Sequence, residues 1–217
     1  MKLVRDLERR LEQLVDGLAG RVFPGRLHPT ELLSRLLREL DLSSASVDGE
    51  ILAANVYRLR FHPEDLADTP YPAEILSQLE AGVTAGAAER GWNLAGVVSV
   101  QVISDANVKT GLLEIDVGRM STPLAAWARL RAKKSLDVRK NRSVIGRSAD
   151  SAVVLEQETV SRTHALLWRE AGRVWVQDLG SANGTTCDGL ASGGAPLEVQ
   201  SGSVLTFGAA SYVFELI

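Results

Sequence analysis

Cysteine is nearly absent from this chain of 217 residues, where Cys187 stands alone. No intramolecular disulfide can form, which is consistent with a reducing compartment without demanding one. Long apolar runs are missing as well. No stretch approaches the roughly 18 apolar residues of a membrane-spanning helix. The charged start, with Lys2, Arg5 and Asp6, lacks the apolar segment of a secretory leader. Positive charge is not in excess either, and a net charge of −3 argues against a nucleic-acid binder held by bulk electrostatics. A cytoplasmic protein is therefore expected, with no direct membrane insertion and no nucleic-acid partner. Residues 1–118 also lack a catalytic or metal-ligating constellation. His28 and His62 each precede a proline at the start of an element, and Asp105, Glu114 and Asp116 have no His or Cys at metal-ligand spacing. Gly82, Gly86 and Gly91 are scattered and do not make a phosphate loop. No metal and no cofactor are expected.

What is present is ordinary globular material, 45% apolar and 24% charged. The length suits two compact domains of about 100 residues each. Charge is unevenly divided between them. Residues 1–124 carry 13 Lys/Arg against 18 Asp/Glu, whereas residues 125–217 carry 11 against 9, a mildly basic balance that suits an anionic ligand.

Residues 3–18 place Leu3, Leu7, Leu11, Leu14 and Leu18 on one helical stripe, a core-packing face or a surface for a partner helix or self-association. A second helix starts near His28-Pro29 and carries Leu32, Leu33, Leu36, Leu37 and Leu40. Asn55 to Phe61 alternates as a strand, residues 72–90 read as a third helix, and strands follow at 97–103 and 112–117. The order ααβαββ implies a small α+β domain over residues 1–118. Residues 119–123 read as a linker. Beyond them short strands recur, at about 126–131, 136–139, 142–146, 152–155, 165–169, 173–178, 185–187, 204–207 and 211–216. Turn residues at Gly172, Asp188-Gly189, Gly193-Gly194 and Gly208 separate them, and this spacing indicates an all-β sandwich over residues 124–217. Cys187 falls in a strand-like stretch and reads as a buried apolar side chain.

Three polar clusters interrupt these strands: Gly146-Arg147, then Ser161-Arg162-Thr163-His164, then the run from Asp178 to Thr185 that contains Asn183-Gly184. Each stands where a β-structure turns. An arginine offers a planar fork of charged donors and a serine offers a hydroxyl, while an asparagine grips a peptide N–H and carbonyl together. Such a set suits a phosphate carried on a peptide. A Ser-His-Asp hydrolase reading of Ser161, His164 and Asp178 lacks a nucleophile-elbow context, and His164 reads as a brace for the loop.

These clusters, in order and at their spacing, resemble the three motifs of the forkhead-associated (FHA) domain, and residues 197–208 resemble that family's late hairpin. The likeness covers roughly the last 90 residues. It implies a β-sandwich that binds phosphothreonine peptides through loops at one end. By the same likeness Arg147 and Ser161 contact the phosphate, Arg162 lines the pocket and Asn183 holds the peptide main chain. Gly146, His164 and Gly184 shape the loops. The sequence departs from the family pattern at Gly202-Ser203, where Gly-Asp is usual, and at Asp188-Gly189, where Asn-Gly is usual. Both departures bear on strand edges.

In the first half, the segment Pro29 to Glu39, then Asn55 to Leu59 and Pro63-Glu64-Asp65, resembles the domain that precedes the FHA module in FhaA-type bacterial proteins. That resemblance implies a setting of Ser/Thr kinase signalling. The expected function is a non-catalytic adaptor that docks phosphothreonine-bearing proteins, such as a Ser/Thr kinase or its substrate. Its N-terminal domain would serve localisation or homo-oligomerisation. A phosphate-independent assembly protein is the alternative. Thr69 and Thr122 each precede a proline and are candidate phosphorylation sites for self-regulation.

Overall fold

The computed structural model describes residue 9 and residues 28–47, 49–66 and 71–217. The helix expected over residues 3–18 (Arg9 apart) and Thr69 lie outside the described residues. The chain divides into two compact units at Pro123 and Leu124.

In the first unit, helix α1 (Pro29–Ser43) opens on a proline at its first turn, and the His28 ring accepts the Thr30 N–H. Its buried face is Leu32, Leu33, Leu36 and Leu40. A hairpin follows, β1 (Ala45–Val47) and β2 (Glu50–Ala53), then β3 (Val56–Phe61), a single turn α2 (Pro63–Leu66), and the long helix α3 (Ala73–Glu89). Strands β4 (Asn93–Leu94), β5 (Ser99–Ser104) and β6 (Leu113–Gly118) complete the unit. Central β3 runs parallel to β5 and antiparallel to β6, while β2 joins β1 and β4 in a second small sheet. Tyr57, Leu59 and Phe61 of β3 pack with the leucines of α1 and with Ile75, Leu79 and Val83 of α3. Gly82 and Gly86, four residues apart on α3, make close helix approach possible. A Cβ at either would lie 2.4 Å from a methyl of Leu33 or Leu37.

The sequence pattern does not announce β1, β2, α2 or β4. Such short elements are held by neighbours rather than by periodicity of their own, and the polar stretch around Ser43 to Gly49 conceals the hairpin. Residues 119–122 behave differently from a free linker. Arg119 donates to the Ser43 carbonyl, Met120 N–H donates to Asn55 Oδ1 at 2.9 Å, and the Thr122 hydroxyl accepts the Val97 N–H at 2.8 Å. The proposed modification point at Thr122 is thus a hydroxyl already used by its own unit. Fully buried Asn55 is the hub of this tie, because its amide also donates to the carbonyls of Val97 and Met120 at 2.9 and 3.0 Å.

The second unit is a two-sheet sandwich. Strands β7 (Ala128–Arg131), β8 (Leu136–Val138), β9 (Ser143–Gly146), β10 (Val153–Val154), β11 (Ala165–Glu170) and β12 (Arg173–Asp178) come first. They are followed by β13 (Thr185–Cys187), β14 (Leu190–Ala191), β15 (Leu197–Val199), β16 (Val204–Phe207) and β17 (Ala210–Leu216). One sheet orders β10-β9-β11-β12-β15 and the other β14-β13-β16-β17-β7-β8. Alternate residues meet between them, with Leu130, Ile145, Leu167, Val176, Leu205 and Phe207 all without solvent exposure. Cys187 is buried there, and that burial pushes its thiol pKa up. The two departures from the family pattern leave the strand edges intact. Asp188 and Gly189 take φ of 50° and 82°, the left-handed pair of a tight hairpin, and the Asp188 carboxylate accepts the Val204 N–H at 2.7 Å.

Replacing the Asn55 hub with alanine leaves two carbonyls and an N–H without their partner. Asn55→Ala is expected to lower stability by at least about 2 kcal/mol, read as an earlier urea transition with the sandwich signal unchanged.

Candidate functional site

The site is built where strands of both sheets hand over to loops at one end of the sandwich. β9 ends on Gly146, whose backbone passes so close to the next loop that a Cβ would lie 2.1 Å from the Arg162 carbonyl oxygen. Glycine is required by that approach, not by turn geometry. The two loops are then laced together, with Arg147 N–H on the Ser161 carbonyl at 2.9 Å and Ser148 N–H on the Arg162 carbonyl at 3.1 Å. This parallel lacing brings Arg147, Ser161 and Arg162 to one open depression that Ser148 and Thr163 also line.

Arg147 is exposed, and its Nε donates to the Val160 carbonyl at 3.2 Å. That bond fixes the plane of the guanidinium and leaves both terminal NH₂ groups for a ligand. Ser161 Oγ accepts the Ala182 N–H at 3.0 Å, so its own hydroxyl hydrogen is free to donate. Asn183 lies on the adjoining loop and spends one amide hydrogen on the Thr159 carbonyl at 2.8 Å. Its remaining N–H and its carbonyl oxygen stay on the exposed side of the loop.

His164 is fully buried and joins the loops from beneath. Its Nδ1 accepts the Ser161 N–H and its Nε2 meets the Gly184 carbonyl oxygen, each at 3.0 Å. An acceptor at Nδ1 and a donor at Nε2 assign the neutral ring with its proton on Nε2. Phe207 packs against the ring edge-on at 5.8 Å. Both ring nitrogens are thereby committed to backbone, and neither reaches the Ser161 hydroxyl as a general base would.

Asp178, the first residue of the third polar cluster, braces that loop. Its carboxylate accepts the N–H groups of Gly180 and Ser181 and the hydroxyls of Ser181 and Thr185, at 2.6 to 2.9 Å. Burial raises its pKa, but those hydrogen bonds outweigh it and hold the group below the usual 3.8. Thr159 is the other contributor that residue type does not reveal. It receives Asn183 on its carbonyl, and its hydroxyl accepts the Ala209 N–H at 3.1 Å.

The family model for the FhaA N-terminal domain matches residues 4–116, and that for the FHA domain matches residues 143–208. The chain belongs to the FhaA N-terminal domain family and carries an FHA domain. One relative is the FHA domain-containing protein FhaA of Mycobacterium tuberculosis, 32% identical over 112 residues. That alignment covers 51% of this chain and only 21% of the relative, so the chain matches a minor part of that protein's length. Among solved structures, FHA domains studied for phosphothreonine-dependent interactions are similar at 23% identity and a TM-score of 0.37. They cover 42% of this chain and 94% of their own. The FhaA FHA domain complexed with the intracellular domain of Rv3910 is similar at 23% identity and a TM-score of 0.36, covering 41% and 97%.

Two outcomes check the loop construction. Gly146→Ala forces backbone apart in the FHA unit and is expected to cost at least about 2 kcal/mol, seen as a lowered melting temperature. For Asp178 the folded-state pKa lies below the unfolded one. Its contribution is therefore complete above the ordinary carboxylate pKa and fades as pH falls through the folded value. Thermal unfolding across pH is expected to show Asp178→Asn less stable than the parent at neutral pH, with the gap closing under acid conditions.

Proposed function

We propose that the FHA unit is a non-catalytic receptor for phosphothreonine on partner proteins, and that the chain acts as an adaptor. The partners are a Ser/Thr kinase or its substrates, with the N-terminal unit providing localisation or self-association. One observation carries this reading. Arg147 and Ser161 each use one polar function to lock themselves to the scaffold, yet keep their outward donors unspent, around one exposed depression.

A phosphothreonine brings a charge of about −1.5 to −2 and three strong acceptor oxygens. Arg147 and Arg162 balance that charge and the Ser161 hydroxyl supplies a further donor. Asn183 takes the main chain of the ligand with its remaining amide groups. Each charge-assisted hydrogen bond contributes about 1.5–3 kcal/mol. Three or four of them, less the ordering of a flexible peptide, give roughly the −8 kcal/mol of a micromolar complex. A signalling contact that must be released operates at that strength. Among the described residues no helix is long and apolar enough to cross a membrane, and the proposed place of action is the cytoplasm, where kinases and phosphatases set the ligand.

Calorimetry with a phosphothreonine peptide tests the reading. Micromolar binding is expected, weakened at least about tenfold by Arg147→Ala, with about fourfold preference over the phosphoserine peptide for one buried methyl. Equal binding of the unphosphorylated peptide, or an Arg147→Ala variant that binds like the parent, would contradict it.

A further inference from the structure

The two sheets of the FHA unit each leave an edge strand on the same side, β8 of one and β10 of the other, and the two edges are in contact. A cleft of about 490 Å³ opens along this seam. Leu136, Ala152 and Val154 contribute apolar surface to it, while Lys133, Lys134 and Glu156 bring charge. Asp137 also borders the cleft, but its carboxylate is taken by Arg129 at 2.9 Å and Arg139 at 2.7 Å. Among the described residues neither lysine has an ion-pair partner. Two uncommitted ammonium groups against one uncommitted carboxylate, beside an apolar floor, complement an acidic segment rather than a basic one.

The cleft shares a loop with the phosphate site. Ser148 borders the depression at Arg147, Ala152 borders the cleft, and between them the Ser151 hydroxyl donates to the Arg162 carbonyl at 3.3 Å. Four residues of chain reach at most about 14 Å. A ligand gripped at Arg147 therefore arrives at the cleft after about four extended residues.

We propose that this cleft receives an extended, acidic flank of the same partner whose phosphothreonine sits at Arg147. Alternate side chains of that flank settle on Leu136 and Val154, and its carboxylates reach Lys133 and Lys134. The inference rests on the phosphothreonine reading and extends it, since it names the composition of the partner beyond the modified residue. The lysine contacts are solvent-exposed point-charge pairs, so they sharpen selection and weaken with salt more than they add raw affinity.

Two phosphothreonine peptides separate the possibilities, measured on the full chain. One is a short core of three residues either side of the phosphothreonine, and the other adds three Asp/Glu to each end. The long peptide is expected to bind about three- to tenfold tighter than the short one at low salt. Lys133→Ala with Lys134→Ala removes that advantage and leaves the short peptide unchanged, whereas Arg147→Ala weakens both. The cleft assignment is overturned if the long peptide gains nothing, or if the lysine double variant leaves its gain intact. It is overturned equally if that variant weakens both peptides alike. Failure of the short peptide to bind the parent protein would instead overturn the phosphate site and the cleft assignment with it.

Discussion

A buried imidazole sets the distance between two loops that the rest of the site depends on. His164 holds the Ser161 loop by its Nδ1 and the Gly184 loop by its Nε2, with no solvent exposure and Phe207 against its edge. A neutral ring with one donor and one acceptor satisfies two backbone groups that face it from opposite sides. Its two ring nitrogens, fixed in one plane, supply that pair. From that spacing the rest follows. Ala182 N–H reaches Ser161 Oγ, Asn183 reaches the Thr159 carbonyl, and the outward donors of Arg147 and Ser161 share one surface.

The arrangement achieves preorganisation with little burial of charge. Arg147 and Arg162 remain exposed, so neither bears the desolvation cost of a buried cation. Rigidity comes instead from hydrogen bonds beneath them, where Asp178 gathers four donors and Gly146 brings two backbones into contact. An anion that binds such a surface finds its donors already in position, which is the main saving open to a shallow site.

Much of this was legible in the sequence, and what was not has physical causes. Arg147, Ser161 and Arg162 stand out because they occur with Asn183 and the glycines in the order and spacing of the FHA motifs, and the structure places all three along one depression. His164 was readable as a brace because Ser161 lacks the nucleophile-elbow context that would give the ring a catalytic partner. Thr159 was not, since its partners Asn183 and Ala209 are 24 and 50 residues away and meet it only through the fold. Strand β14 escaped because its two residues sit between the turns at Asp188-Gly189 and Gly193-Gly194, and β15 was legible only through the resemblance of residues 197–208 to the family's late hairpin. Residues 119–122 look like a linker in composition, yet Asn55 and the close approach at Gly96 tie them to the first unit. The glycines of α3 looked scattered until α1 was seen packed on them.

On the proposed reading the FHA unit turns a strand-and-loop scaffold into a receptor for one modified side chain, and the most direct measurement looks at where that ligand lands. Amide chemical shifts of the labelled full chain, titrated with a phosphothreonine peptide and its unphosphorylated twin, report every loop at once. The account predicts that only the phosphorylated peptide moves signals, centred on Arg147, Ser161, Arg162 and Asn183-Gly184. Equal shifts from both peptides, or shifts confined to the far end of the sandwich, would contradict it.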